Sequence, residues 1–412
     1  MPRRGDVLCI VQAGGQGSRM DVLTRERAKP ALPFGGVHRL IDFTLSSLTY
    51  SELEDVWVSV QYQVGSIDGY LSGGRPWSLD RNRGGFRRMV PQTGTGPATE
   101  EGFAHGNADL LLRMRSDIQA FGAPHLLVSS ADHVFSMDLA PVVDEHIASG
   151  RSATVLTSAI TKREASDNVV VLAEPGGRVT GVEVKPPRPS SGTVATEIFV
   201  YRTDALIAAL DQLRGELAGG AEDSGDGDSG LGDFGEHLLP RLIEGGDVHA
   251  VPLQGYWRDV GQPAQYLQAH RDLLADRIDV FRHADRPVIS HWPDRPAARI
   301  RAGALVDSLL SPGCDVSGEV LNSVLGPGVV VEAGARVEDC VLFEDVHVQR
   351  GADLRHAIVD ERSVVGRNSV VGRTPTARVP RDQDLVLVGR GSRIGSKVRV
   401  EAGARLEPGT SA

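Results

Sequence analysis

Between Val11 and Met20 the chain reads VQAGGQGSRM, placing Gly14, Gly15, Gly17 and Arg19 directly after the apolar run DVLCIV. Glycines spaced this closely after a strand let backbone N–H groups face an anion, and an arginine beside them supplies matching charge. Two common glycine fingerprints fail. A G-x-G-x-x-G loop starting at Gly15 needs a third glycine where Met20 stands, and G-x-x-x-x-G-K-[ST] needs a lysine that does not follow Gly17. The next basic residue of interest is Lys29 in RAKPALPFGG, where Pro30 and Pro33 are expected to hold the segment extended and stiff. The competing reading is an ordinary strand-to-helix turn with solvated basic side chains, and the loop alone leaves both open.

Such a loop must be presented by a strand and a helix. Over the first two-thirds of the chain, DVLCIVQA, DVWVSV, HLLVSSAD and SATVLTSAI alternate with amphipathic or glycine-rich stretches, which predicts an α/β domain with a mostly parallel sheet. Ligands bind such sheets at the carboxyl ends of strands, and both the glycine loop and the ADH triplet at Ala131–His133 fall there. The segment RGELAGGAEDSGDGDSGLGD, residues 214–233, lacks periodicity and reads as a surface loop. From about Val306 aliphatic residues recur every sixth position, as in Leu325, Val331 and Val337, or Val388, Ile394, Val400 and Leu406. A hexapeptide period predicts stacked coils of a parallel β-helix, with TPTARVPRDQD (374–384) as an excursion from it. The expected division is a domain over 1–275, a linker over 276–305 and the β-helix over 306–412. A β-helix alone defines no function.

Composition narrows the classes. A formal net charge of -10 argues against nonspecific nucleic-acid binding, which depends on cationic side chains displacing counterions. Cys9, Cys314 and Cys340 are odd in number and embedded in apolar runs, so they read as buried thiols in a reducing compartment. No stretch approaches the roughly 18 apolar residues of a membrane span. The expectation is a cytoplasmic protein with no nucleic-acid or membrane partner.

AGGQGSR followed by LTRERAKPALPFGGVHRLIDFTLSSL resembles the opening of the glucose-1-phosphate adenylyltransferases, and the likeness continues through VQYQVGSIDGYL, GNADLL, ADHVFSMD, DFGEHLLPRLI and YWRDVGQPAQYLQAH. The resemblance implies a doubly wound, GT-A-like nucleotidyltransferase domain, a left-handed β-helix, a homotetramer, and a role in glycogen or storage-glucan synthesis. The implied reaction joins ATP and a sugar 1-phosphate into ADP-sugar and pyrophosphate. The attacking phosphate oxygen is already ionised, so such chemistry needs positioning and charge neutralisation rather than a general base. By resemblance Asp132 and Asp259 hold Mg2+, Arg19 stabilises the departing pyrophosphate, and Lys29 holds nucleotide phosphates. Gly14, Gly15 and Gly17 admit the triphosphate, Gln92 and Gly106 match contacts to base and ribose, and Lys185 matches the lysine that binds the sugar phosphate. Read singly, Asp132 could equally cap a following helix, and Asp259 could pair with Arg258.

The pattern departs in the sugar pocket. Val169 stands where the family has glycine, Val184 where it has the glutamate of E-K-P, and Ala195-Thr196-Glu197 where it has S-M-G. Losing the glutamate removes an acceptor for sugar hydroxyls, for which Glu197 is a better substitute than Glu183 on the opposite strand face. Asn107 and Gln12 are further departures, and Glu26 replaces a lysine that some bacterial relatives use for a sugar-bisphosphate activator. Three readings stay open: an ADP-glucose-forming enzyme with a divergent pocket, a nucleotidyltransferase for another sugar 1-phosphate or base, and a non-catalytic regulatory subunit. Retention of Arg19, Lys29, Asp132, Lys185 and Asp259 weighs against the last. An acyltransferase using His347 or His356 is a weaker alternative, since histidines on an exposed coil face are usually inert.

Overall fold

The computed structural model describes residues 6–15, 17–81, 84–91, 103–218, 229–278, 283, 285–375 and 379–412. The first strand, β1 (Val7–Gln12), is buried on both faces: Leu8 and Ile10 enter one apolar cluster, Cys9 and Val11 the other. A continuous apolar run is what a strand covered on both sides requires. It pairs in parallel with β2 (Asp55–Ser59) on one side and, across a chain reversal, β4 (His125–Ser130) on the other; β3 (Phe86–Met89) lies beyond β2. The sheet continues from β4 through β9 (Thr193–Arg202) to β7 (Val169–Ala173) and β8 (Val179–Val184). Strand β9 also pairs with β6 (Ala153–Ala159), which carries β10 (Val248–Pro252) at its far side. A separate two-stranded ribbon joins β5 (His133–Phe135) to β11 (Trp257–Asp259). The helices include α1 (Leu40–Tyr50), α2 (Asn107–Arg113), α3 (Thr203–Ala218) and α4 (Pro263–Leu274).

Residues 214–233 do not form the single surface loop expected from their composition. Residues 214–218 continue α3, and 229–233 fold against α2, where Gly232 O accepts the Ala108 N–H at 3.2 Å. Residues 219–228 lie outside the described ones. Composition misled here because Gly215 and the acidic, glycine-rich neighbours hide a helix whose apolar face, Leu206, Leu210 and Leu213, lies upstream.

Parallel strand pairing in the C-terminal region starts at Arg299–Ile300. Val316, Val331, Val348, Val365 and Ile394 stack in one column, Val320, Val337, Leu354, Val371 and Val400 in a second, and Leu325, Leu342, Val359, Val388 and Leu406 in a third. Consecutive aliphatic residues of the six-residue period therefore occupy consecutive faces of a three-sided coil, the arrangement of a left-handed parallel β-helix of hexapeptide repeats. Cys314 and Cys340 are buried in this stack and Cys9 in the sheet, all as free thiols.

The two regions share a core. Met20, Leu23, Phe34 and Tyr266 pack with Val341, Phe343, Ile358, Leu385 and Leu387. Polar links cross the same seam: the buried Arg27 pairs with Asp360 at 2.8 Å, and the partly buried Arg271 of α4 with Asp339 at 2.6 Å. Asp339 also takes the His356 Nδ1 at 2.6 Å, so His356 is buried in the seam rather than on an exposed coil face. His347 is half-exposed and pairs with Glu332. The excursion at 374–384 contributes too, since Asp382 accepts the Ala264 N–H in the first turn of α4. No helix among the described residues is long and apolar enough to cross a membrane.

Candidate active site

Strand order decides where the chemistry sits. The chain leaves β1 toward β2 on one side and returns beside it as β4 on the other, so the carboxyl ends of β1 and β4 open onto a crevice. Gln12 is in register with Ser130, and Gln12 O accepts the Ala131 N–H at 3.1 Å. The glycine loop and Asp132 therefore emerge side by side. Asp132 caps no helix, because β5 follows it; pairing of β5 with β11 then places Asp259 opposite His133 in register. Arg258 turns away to Tyr256, Asp272 and Glu164, which leaves the Asp259 carboxylate free for the crevice.

Lys29 completes the cluster. Its Nζ stands 2.7 Å from Asp132 Oδ2 and 3.7 Å from Asp259 Oδ1, with the side chain almost fully buried. The segment is not extended as expected: Lys29–Ala31 form one 3-10 turn, with Leu32 N donating to Lys29 O. Pro30 fits there because the first turn of a helix needs no N–H from it. Burial pushes the Lys29 ammonium down, but Asp132 and Asp259 more than offset this and hold it above its ordinary value. Burial likewise opposes charge on Asp132, whereas Lys29, His133 and the Ser130 hydroxyl hold its carboxyl well below the usual range. Both groups stay ionised across the neutral range.

Arg19 lies exposed on the 3-10 helix Ser18–Thr24. A Cβ at Gly261 would sit 3.4 Å from its guanidinium and 3.1 Å from Asp259 Oδ2, so glycine there lets Arg19 and Asp259 share one edge of the crevice. Gly17, at φ 65°, caps that helix and its carbonyl accepts the Thr24 hydroxyl. Gly14 lies against the Gln61 side chain, and Gly15 is exposed with open space around it. Gly106 precedes α2 at φ 116°, and a Cβ there would meet Gly232 O at 2.3 Å. Tyr62, next to Gln61, stacks on Phe103 with ring centroids 5.2 Å apart. Gln92 lies outside the described residues.

Lys185 follows β8 on the exposed rim, with its ammonium 3.9 Å from Asp233. Glu197 sits instead with the aspartates, at a break in the β9–β6 register, and its φ is 56°. Burial, together with Asp132, Asp259 and Asp233, pushes its carboxyl up to about 7, against the opposing pull of His133. Asp132, His133 and Glu197 present ligand atoms within 4.8 Å of one another. Hard carboxylate oxygens and one imidazole suit a divalent cation. The histidine went unremarked in the sequence although it is the third letter of ADH, because its orientation depends on β9, some sixty residues away.

The chain matches the family model described as nucleotidyl transferase over residues 8–276, and that described as GlmU-like, C-terminal hexapeptide, over 296–382. It is 33% identical over 415 residues to a glucose-1-phosphate adenylyltransferase of Corynebacterium jeikeium, covering 95% of this chain and 97% of that one. A protein of the same name from Bacillus cytotoxicus is 32% identical, covering 95% of this chain and all of its own length. One from Thermotoga neapolitana is 34% identical across 81% of this chain and 77% of its own. The chain belongs to the glucose-1-phosphate adenylyltransferase family.

Its departures from the pattern of glucose-1-phosphate adenylyltransferases are spatially coupled. Val169 and Val184 are direct partners across β7 and β8, and both approach Gly235. Val184 remains 39% exposed, so the pair forms an apolar wall beside Lys185. Glu183 points away and accepts the Ser190 N–H at 3.1 Å. Gln12 and Asn107 also meet: Gln12 Nε2 donates to Asn107 O at 2.8 Å, while Asn107 Oδ1 takes the Phe234 N–H. Glu26 lines a cavity of about 630 Å³ with Arg27, Arg39, His291 and Arg390 between the two regions.

Proposed function

We propose that this chain makes ADP-glucose and pyrophosphate from ATP and glucose 1-phosphate, in glycogen synthesis, as a cytoplasmic homotetramer. One observation carries the reading: Lys29, Asp132 and Asp259 converge at the carboxyl ends of β1 and β4 in a chain that aligns with this family over nearly its full length. The nucleotide phosphates lie along the glycine loop, where backbone N–H groups and Lys29 face them. Lys185 holds the sugar phosphate on the rim so that its ionised oxygen lines up with the α-phosphorus. Arg19 receives the charge that grows on the departing pyrophosphate. Asp132 and Asp259 would hold Mg2+, whose chemistry is to neutralise and orient nucleotide phosphates. No residue needs to remove a proton from the nucleophile.

A second reading, transfer to another sugar 1-phosphate, has the Val169–Val184 wall in its favour, since an apolar wall takes no sugar hydroxyl. The test is pyrophosphate release with Mg2+, each nucleoside triphosphate and a panel of sugar 1-phosphates. The highest kcat/KM is expected for ATP with glucose 1-phosphate. A better sugar in the panel would select the second reading, and no release with any pair would remove both.

A further inference from the structure

The acidic cluster contains more than the two aspartates. His133 is 4% exposed, and its Nδ1 lies 3.0 Å from Thr196 O. A carbonyl only accepts, so the proton sits on Nδ1 and Nε2 is the atom turned toward the acids. Nε2 makes no hydrogen bond among the described residues. It is surrounded instead by Asp259 Oδ1 at 3.7 Å, Asp132 Oδ1 at 3.8 Å and Glu197 Oε2 at 4.0 Å. These spacings are too long for hydrogen bonds and fall within the roughly 3–4.2 Å that separates ligand atoms around one ion with bonds of about 2.1 Å.

We infer that His133 and Glu197 join Asp132 in a mixed nitrogen and oxygen site for a divalent cation, one that takes a metal tolerant of imidazole, such as Mn2+, in preference to Mg2+. The bulge in β9 builds this site twice over. Thr196 is anchored through its hydroxyl to Leu156 O, and its carbonyl fixes the imidazole, as outer partners of ligating histidines do. The next residue, Glu197, supplies the carboxylate. Lys29 engages Asp132 through Oδ2, while Oδ1, which accepts the Ser130 hydroxyl, stands on the side of His133. Glu197 faces this group, whereas the Lys185 ammonium is paired with Asp233. Imidazole nitrogen is a poor ligand for Mg2+ and an acceptable one for Mn2+, which is the source of the preference.

The inference extends the reading of Asp132 as a cation-holding residue, and its test needs no turnover. Mn2+ and Mg2+ binding are measured by calorimetry on the full chain without substrates, and the Mn2+ complex is examined by pulsed electron paramagnetic resonance. The expected result is tighter Mn2+ binding and a nitrogen coupling from a directly bound imidazole, lost in His133→Asn along with the preference. Glu197→Gln is expected to weaken Mn2+ binding by roughly tenfold or more. Glu197→Gly, which suits the positive φ, should do the same and serves if the glutamine variant fails to fold. Absence of nitrogen coupling, or Mn2+ affinity within twofold of the parent in both Glu197 variants, overturns the inference. A Glu197 variant with unchanged cation affinity but a raised KM for glucose 1-phosphate assigns that carboxylate to the sugar instead.

Discussion

Lys29 and Asp132 form the shortest charge contact of the crevice, and each holds the other ionised where burial alone would neutralise it. On the proposed reaction Asp132→Asn removes a charge beside the phosphates, so kcat should fall about 10²–10³-fold or more in a pyrophosphate-release assay, with an unchanged circular dichroism spectrum. Undiminished turnover would exclude Asp132 from the chemistry. A second buried acid acts on stability. Asp42 accepts the Arg39 N–H and the Tyr70 hydroxyl, and burial pushes its carboxyl up to about 7. Its ordinary value is about 3.9, so the folded chain retains a proton that the unfolded chain has lost. The resulting stability is complete below about pH 4 and is lost as pH rises to about 7. His38, whose ring burial drives down to about 4, works in the opposite direction, so the useful quantity is the difference between parent and variant. Asp42→Asn should therefore flatten the decline of melting temperature with rising pH across that window, measured by calorimetry from pH 4 to 8.

Elements turn these residues into a site, and they were unevenly legible. The hexapeptide columns could be read because each aliphatic residue stacks on its counterpart one coil away, and local spacing carries that information. The opening strand and its glycine loop were equally plain, since a buried parallel strand must be a continuous apolar run. The bulge at Thr196–Glu197 was not, because a non-glycine residue at positive φ leaves no periodic trace and its consequence depends on pairing with β4 and β6. The 3-10 turn at Lys29 escaped for a similar reason: flanking prolines fix φ but leave ψ to tertiary contacts. Gly106 shows how close the fit is between elements distant in sequence. Gly106→Ala must place a methyl group against the Gly232 backbone at an unfavourable φ, and should cost about 1–3 kcal/mol in urea unfolding and raise the KM for the nucleotide. An alanine variant with parental stability and KM would show that the 229–233 segment yields freely.

At the scale of the molecule, the β-helix is part of the catalytic region's core rather than an appendage. The apolar seam from Met20 and Phe34 to Phe343 and Leu387, with the buried Arg27–Asp360 pair, ties the unfolding of one region to that of the other. The last coil reaches further still, to the helix that carries Arg19: Arg405 pairs with Asp21 at 3.1 Å, and Arg25 with Glu407 at 3.2 Å. Free-energy coupling between two sites is reciprocal. If the final coil steadies the Ser18–Thr24 helix, then ligand that orders this helix must also slow local opening of the coil. Saturating ATP should thus reduce backbone hydrogen exchange around Gly403–Leu406, measurable by mass spectrometry, and Arg405→Ala should abolish that protection. The coil would then report, from outside the crevice, whether the nucleotide is bound.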